Sequence, residues 1–316
     1  MIEIKPKIVL VGIGRFGNNH LRNLMQLDKK NIIKLIGVID VDLQILKKIK
    51  KEFGINTSND YKLFVKYADA FDIVTPAFTH YSIAKYILNK QKHVFVEKPL
   101  SLNSSDAKKL VKLSQKNNSI LQVGHIFRYN KAVEYIKKNI KQEDNFPYYI
   151  KGGFLQTTKP KKDVGAIFNY LHHFDILDNI LGLNPTKIFS NANLVDKKYK
   201  HDINSTVFLQ YPKGVNTTLD LGWIPYGKYR TLELYSKKQY TFCDLEKQTI
   251  SIHNNKSSTK IINFKFKEPL ELELNDFINS IKTMKSPKAD GNVGQRIIKI
   301  AEIATKSIQQ RKIIKI

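Results

Sequence analysis

A strand-like run, KIVLV at residues 7–11, leads directly into Gly12-Ile13-Gly14-Arg15-Phe16-Gly17 and then into a segment with helical spacing, 16–28. Three glycines at this spacing between a strand and a helix leave few folds open. The first allows a tight turn, the second lets the backbone approach a pyrophosphate, and the third lets the helix lie close on the strand. The free N–H groups of the new helix, aligned with its dipole, then point at the phosphates. Asp40 lies 23 residues beyond Gly17, at the end of the next apolar run. An acid there accepts hydrogen bonds from ribose hydroxyls and repels a 2′-phosphate. The segment therefore predicts a site for NAD(H), preferred over NADP(H), built by Gly12, Gly14, Arg15, Phe16, Gly17 and Asp40.

The rest of the first 125 residues repeats the alternation. Short apolar runs at 35–39, 71–74, 93–96 and 120–123 are separated by helical patterns at 43–53, 80–88 and 105–116. Such an alternation implies a doubly wound parallel sheet covered on both faces. The pattern then changes. After helical segments at 132–140 and 167–181, strand-like runs follow one another from 186 to 266 without helices between them, and two helices, 270–284 and 293–309, close the chain. The fold class expected is α/β: an N-terminal doubly wound domain over 1–125, and over 126–316 an α+β domain with a large open, mainly antiparallel sheet. An open face of that kind needs covering, which predicts a homodimer or homotetramer through the C-terminal sheet.

At 316 residues the chain exceeds what a single core usually holds, about 250–300 residues. The formal net charge is +25, but lysine supplies most of it and is scattered over helix faces and loops, as at Lys47-Lys48 and Lys197-Lys198. A nucleic-acid reader would favour arginine, whose planar fork matches phosphates and bases, so no nucleic-acid partner is expected. The positive field favours phosphate-bearing ligands. Cys243 is the single cysteine, which excludes an intrachain disulfide and a cysteine-based zinc site. No His/Asp/Glu group has metal-ligand spacing, and no metal is expected. No window approaches the roughly 18 apolar residues of a membrane span, and the first residues lack signal-peptide character, so a cytoplasmic location is expected.

Glu97-Lys98-Pro99 follows the strand at 93–96 and so falls at the carboxyl edge of the parallel sheet, where such folds bind ligands. Together with the glycine motif, Thr75-Pro76 with His80, and Gly124-His125 with Arg128, it occurs in an order that resembles the Gfo/Idh/MocA oxidoreductases. The resemblance covers nearly the whole chain and implies a Rossmann domain followed by a substrate domain. Asn19-His20-Leu21-Arg22, residues 123–130, and Gly222-Trp223-Ile224-Pro225 with Lys228 and Arg230 look like the nucleotide-sugar branch, the UDP-N-acetylglucosamine 3-dehydrogenases and related uronate enzymes. By this resemblance Thr75, Pro76, His80, Glu97 and Lys98 join the cofactor site, and Lys98 touches the hydroxyl being oxidised. A lysine acts as a base there only if its pKa falls from about 10.4.

The resemblance also implies a catalytic histidine followed three residues later by an acid. The segment reads Asn169-Tyr170-Leu171-His172-His173-Phe174-Asp175, and two registers compete. With Asp175 as the last acid, the histidine is His172. Fixed from Gly165 instead, it is His173, with Asn169 in place of an acid one turn earlier. In either register that earlier acid is absent, since position 168 is Phe and position 169 is Asn. Asn169 can orient a hydroxyl but cannot take its proton. Lys98 and His172 are thus the expected acid–base pair, and His125, Arg128, Tyr129 and Trp223 the further substrate contacts. His20 is expected to support the cofactor loop. The activity implied is oxidation of a secondary hydroxyl of a sugar, on a UDP-sugar at C3. The alternatives are a free-sugar or inositol dehydrogenase, and a catalytically silent NAD-binding regulator or scaffold.

Overall fold

The structure is a computed structural model and describes residues 5–160, 164–193, 201–224, 226–254, 258–265 and 268–316. The chain forms two compact units. The first comprises Met1–Ile126 and Glu268–Arg296, the second Phe127–Lys267 and Ile297–Ile316.

In the first unit β1 (Lys7–Val11), α1 (Gly17–Lys29), β2 (Lys34–Ile39), α2 (Leu43–Phe53), β3 (Thr57–Ser58), β4 (Ala70–Ile73), α3 (Ala77–Asn89), β5 (His93–Glu97), α4 (Ser104–Lys116) and β6 (Leu121–Gly124) alternate. The six strands lie in the order β3-β2-β1-β4-β5-β6, all neighbours parallel. Strand order reverses between β1 and β4, the switch point at which open α/β sheets bind ligands beyond their carboxyl ends. β4 and most of β1 are fully buried, which is why they read as unbroken apolar runs. Asp42 caps α2 by accepting from the N–H groups of Gln44 and Ile45, and Gly54 ends it in a left-handed turn.

The second unit carries α5 (Lys131–Asn139), β7 (Tyr149–Gln156), α6 (Ala166–Asn169), α7 (His172–Leu181), β8 (Lys187–Asn193), β9 (Asn204–Gln210), β10 (Asn216–Trp223), β11 (Lys228–Tyr235), β12 (Gln239–Asp244), β13 (Thr249–Asn254) and β14 (Thr259–Asn263). With β15 (Ile314–Lys315) these strands form a nine-stranded sheet in the order β14-β13-β12-β11-β7-β10-β9-β8-β15. Every pairing is antiparallel except that of β7 with β10. Alternation is clear in β11, where Leu232 and Leu234 are buried between half-exposed Thr231, Glu233 and Tyr235.

Two details differ from the sequence expectation. The helix expected over 167–181 is broken: Tyr170 sits at φ −111°, ψ 47°, so α6 ends after one turn and α7 begins at His172. Asn and the aromatic residues around it are weak helix formers, so the break is cheap. In addition α8 (Pro269–Thr283) and the start of α9 (Gly291–Gln310) belong to the first unit, whereas the expectation assigned all of 126–316 to the second. The cause is the apolar face of α8. Leu270, Leu274, Phe277 and Ile278 share a buried cluster with Leu21, Leu24, Leu27 and Phe95. Among the described residues no helix is long and apolar enough to cross a membrane, and no group of three or more His, Cys, Asp or Glu is arranged to hold a metal ion.

Candidate functional site

The glycine loop has the geometry its spacing demands. Gly12 adopts φ +101°, and a Cβ there would lie 2.7 Å from the Val74 carbonyl oxygen. A Cβ on Gly17 would stand 2.2 Å from the Gly12 carbonyl oxygen, so only glycine lets α1 start so close to β1. Gly14 is different: nothing lies within 4 Å of a Cβ built on it, so its backbone faces open space at the head of α1. Arg15 is exposed beside it and Phe16 is 40% exposed. At the end of β2, Asp40 Oδ2 accepts the Ile13 N–H at 2.6 Å and Oδ1 accepts the Asp42 N–H at 2.9 Å. The carboxylate is therefore held against the loop, with lone pairs remaining for hydroxyl donors. An open glycine backbone, a helix N-terminus and a fixed acid fit a dinucleotide.

The other side of the crevice comes from the ends of β4 and β5. Pro76 leads into α3, and the Thr75 and Thr79 hydroxyls are 2.6 Å apart. His80 was expected to touch the cofactor, but it is 1% exposed. Its Nδ1 lies 2.7 Å from the Pro99 carbonyl and its Nε2 2.8 Å from the Thr75 carbonyl. It is a strut joining the two loops from behind, and burial pushes its pKa down. Glu97 was expected in the same role and is likewise turned inward. Its Oε1 lies 3.3 Å from His20 Nε2, and its Oε2 accepts the Lys98 N–H at 3.2 Å. His20 Nδ1 in turn lies 2.8 Å from Asp72 Oδ2. Lys98 itself is half-buried on the loop beyond β5. His125, at the end of β6, is 1% exposed.

In the second unit the two histidines at the head of α7 diverge. His172 is half-exposed and lies on a bed of rings: stacked on Phe154 at 4.9 Å and 28°, and edge-on to Phe127 at 5.0 Å. Phe154 also stacks on Tyr170 at 5.1 Å, and Tyr170 meets Trp223 at 5.2 Å. Arg230 covers Phe154 with its guanidinium carbon 4.6 Å from the ring centre and donates to Gln156 Oε1 at 3.0 Å. Asn169 is 8% exposed, and the Tyr170 hydroxyl accepts from Gln156 Nε2 at 3.3 Å. His173 has no exposure. Its Nε2 donates to the Thr231 carbonyl at 2.9 Å, and burial pushes its pKa down to about 4. Gly152 makes room for it, since a Cβ there would lie 2.5 Å from the His173 Cδ2. His173 is thus a core residue in neutral form.

Three expected substrate contacts are largely buried. Arg128 is 8% exposed and committed to two acids of α7, with Nε 2.6 Å from Asp175 Oδ1 and Nη2 paired with Asp178. Tyr129 is 2% exposed and Trp223 5%, so both pack the interior. Phe154, Tyr170 and Gln156 were not anticipated, because they come from segments far apart in sequence and carry no motif. Asp72 was also missed, although a lone acid inside the buried run FDIV was a signal.

Residues 6–125 match the model of the GFO_IDH_MocA oxidoreductase family, NAD-binding Rossmann fold. Over nearly its full length the chain is similar to two characterised proteins. It is 23% identical to UDP-N-acetylglucosamine 3-dehydrogenase from Acidithiobacillus ferrooxidans, with 98% of this chain and 100% of that protein aligned. It is 24% identical to myo-inositol 2-dehydrogenase from Thermotoga maritima, with 98% of each covered. The solved structure of the Acidithiobacillus enzyme superposes with a TM-score of 0.87 at 21% identity, covering 97% of this chain and 99% of that one, which establishes the common fold.

Proposed function

We propose that this chain is an NAD(H)-dependent dehydrogenase that oxidises a secondary hydroxyl of a sugar, and that the substrate is a UDP-sugar oxidised at C3. The observation that carries the reading is the divergence at the head of α7. One histidine is sealed in the core, and its neighbour lies half-exposed on stacked rings. A sugar ring presents C–H faces that pack on aromatic surfaces, and hydroxyls that need hydrogen-bonding partners.

Gly12, Gly14 and Gly17 with the head of α1 would hold the pyrophosphate, and Asp40 the adenosine ribose; a carboxylate there favours NAD over NADP. A bound nicotinamide would supply the acceptor for the hydride of the carbinol carbon. Lys98 is the proposed base for the proton of the reacting hydroxyl, and His172 the second proposed acid–base residue. Asn169 and the Tyr170 hydroxyl orient neighbouring hydroxyls. Arg230 supports the choice of a nucleotide sugar: its guanidinium makes no ion pair among the described residues and is partly desolvated over Phe154, a setting that favours a phosphate or carboxylate. The similarity to a myo-inositol dehydrogenase supports a second reading, in which the substrate is a free cyclitol or sugar.

NADH formation over a panel of UDP-sugars, free sugars and myo-inositol tests both. A UDP-sugar as the fastest substrate, with Lys98→Ala and His172→Ala each lowering kcat about 10²–10⁴-fold, supports the first reading. Turnover confined to free polyols selects the second. Tight NAD binding without turnover on anything overturns both in favour of a silent cofactor-binding role. We also propose self-association through the half-exposed face of the nine-stranded sheet, where the rings of Tyr149, Tyr235 and Tyr240 lie 5.5 and 5.0 Å apart in succession. A monomer in sedimentation experiments would remove that proposal.

A further inference from the structure

The first unit holds a buried charge cluster that the chemistry above does not use. Asp72 sits within β4 at 1% exposure, where an unpaired carboxylate would be strongly disfavoured. Its partner is His20 of α1, which has no exposure, at 2.8 Å from Nδ1. The other ring nitrogen of His20 faces Glu97 Oε1 at 3.3 Å, an ion-pair contact, and Glu97 Oε2 receives the Lys98 N–H. A line of polar contacts thus runs from the middle of β4 through α1 and the end of β5 to the backbone of Lys98. It is walled by rings, with Phe16 and Phe95 edge-on to the imidazole at 5.2 and 5.6 Å. It is also closed by Gly124, where a Cβ would lie 2.4 Å from Glu97 Oε1.

We propose that His20 is a positioning residue, held as an imidazolium between Asp72 and Glu97, whose charge keeps the Glu97 carboxylate turned into the sheet and away from the ammonium of Lys98. Nδ1 hydrogen-bonds Asp72, and a doubly protonated ring would in addition place positive charge 3.3 Å from the Glu97 carboxylate, where a neutral ring would set a lone pair against one of the two acids. Burial opposes charge on the ring, but Asp72 and Glu97 together outweigh it and raise its pKa to about 10. Were the charge removed, Glu97 would have to take up a proton or seek another cation. The groups around it are Asp72, itself an acid, His80, whose two ring nitrogens already face the Pro99 and Thr75 carbonyls, and Lys98. A freed Glu97 would therefore pair with Lys98 and hold it protonated. The consequence for turnover rests on the proposed role of Lys98 as base, whereas the electrostatic claim does not.

Two measurements on the full chain test it, neither requiring substrate. Imidazole 15N shifts at pH 8 should show both nitrogens of His20 protonated; a neutral tautomer overturns the proposal. Competitive acetylation of Lys98 with acetic anhydride across pH, read by peptide mass spectrometry, reports the pKa of its amine. That pKa should rise by about one unit or more in His20→Gln, the size expected when a carboxylate gains contact with a cation. It should return toward the wild-type value in the double variant His20→Gln/Glu97→Gln. Identical curves for wild type and His20→Gln overturn the proposal, and a change in Tm alone marks His20 as mere packing. If His20→Gln does not fold, the imidazole 15N shifts of the wild-type protein decide alone, and a neutral tautomer refutes the claim. Absence of turnover on any sugar would leave both readouts intact.

Discussion

His20 in the first unit and His173 in the second are equally buried, yet they are held in opposite protonation states. His20 stands between two carboxylates, and its pKa rises to about 10. His173 meets a single backbone carbonyl, and its pKa falls to about 4. Burial acts against the charged ring in both, so the partners decide the outcome. The difference extends to the sites each supports. In the first unit, fixed charge and backbone geometry surround the cofactor loop. In the second, His172 rests on Phe154 and Phe127, and the surface offered is aromatic.

The sharpest test of this contrast is between the adjacent histidines of α7. His172→Ala should lower kcat about 10²–10⁴-fold while leaving the urea midpoint nearly unchanged. His173→Ala should do the reverse, leaving kcat within a small factor and costing on the order of 3 kcal/mol, through the cavity it opens and the Thr231 carbonyl it leaves without its donor. Equal losses of kcat from both substitutions would remove the distinction on which the site rests.

Next in size are the partners that set each charge. Asp72→Ala leaves the buried charge of His20 with half its compensation, which should cost about 3–5 kcal/mol. On the other side, Gly152→Ala puts a methyl into the space of the His173 ring and should cost about 1–3 kcal/mol by overpacking. A near-neutral Asp72→Ala in urea unfolding would mean that His20 is not charged in the folded protein.

The same contrast explains what could be read from the residues alone. The cofactor loop was legible because its parts are close in sequence, and glycine identity encodes backbone demands directly. Gly12, Gly17 and Asp40 stand where their spacing placed them. The open sheet of the second unit was legible from alternation. Residue type alone was least informative where it was compatible with either core or site. Arg128 looked like an anion clamp and is instead spent on Asp175 and Asp178; Tyr129 and Trp223 looked like ligand contacts and pack the interior. Nothing local distinguishes these outcomes, since the partners lie 47 or more residues away or on another strand. The return of α8 to the first unit failed for the same reason: an amphipathic helix shows that it has a partner, not which one.

The pH dependence of stability separates the two histidines by sign. For His20 the folded pKa lies above the unfolded value near 6.5. Its contribution is therefore complete below that value and is lost progressively as pH rises toward 10. For His173 the folded pKa lies below the unfolded one. Its contribution is complete above about 6.5 and is lost as pH falls through that value toward 4. Urea unfolding at pH 5, 7 and 9 should thus show wild type losing stability at both ends for different reasons. His173→Phe should flatten the acid side and leave the alkaline side sloped, and His20→Gln should do the opposite. An acid limb that His20→Gln flattens would place the charge on the wrong histidine and reverse the comparison.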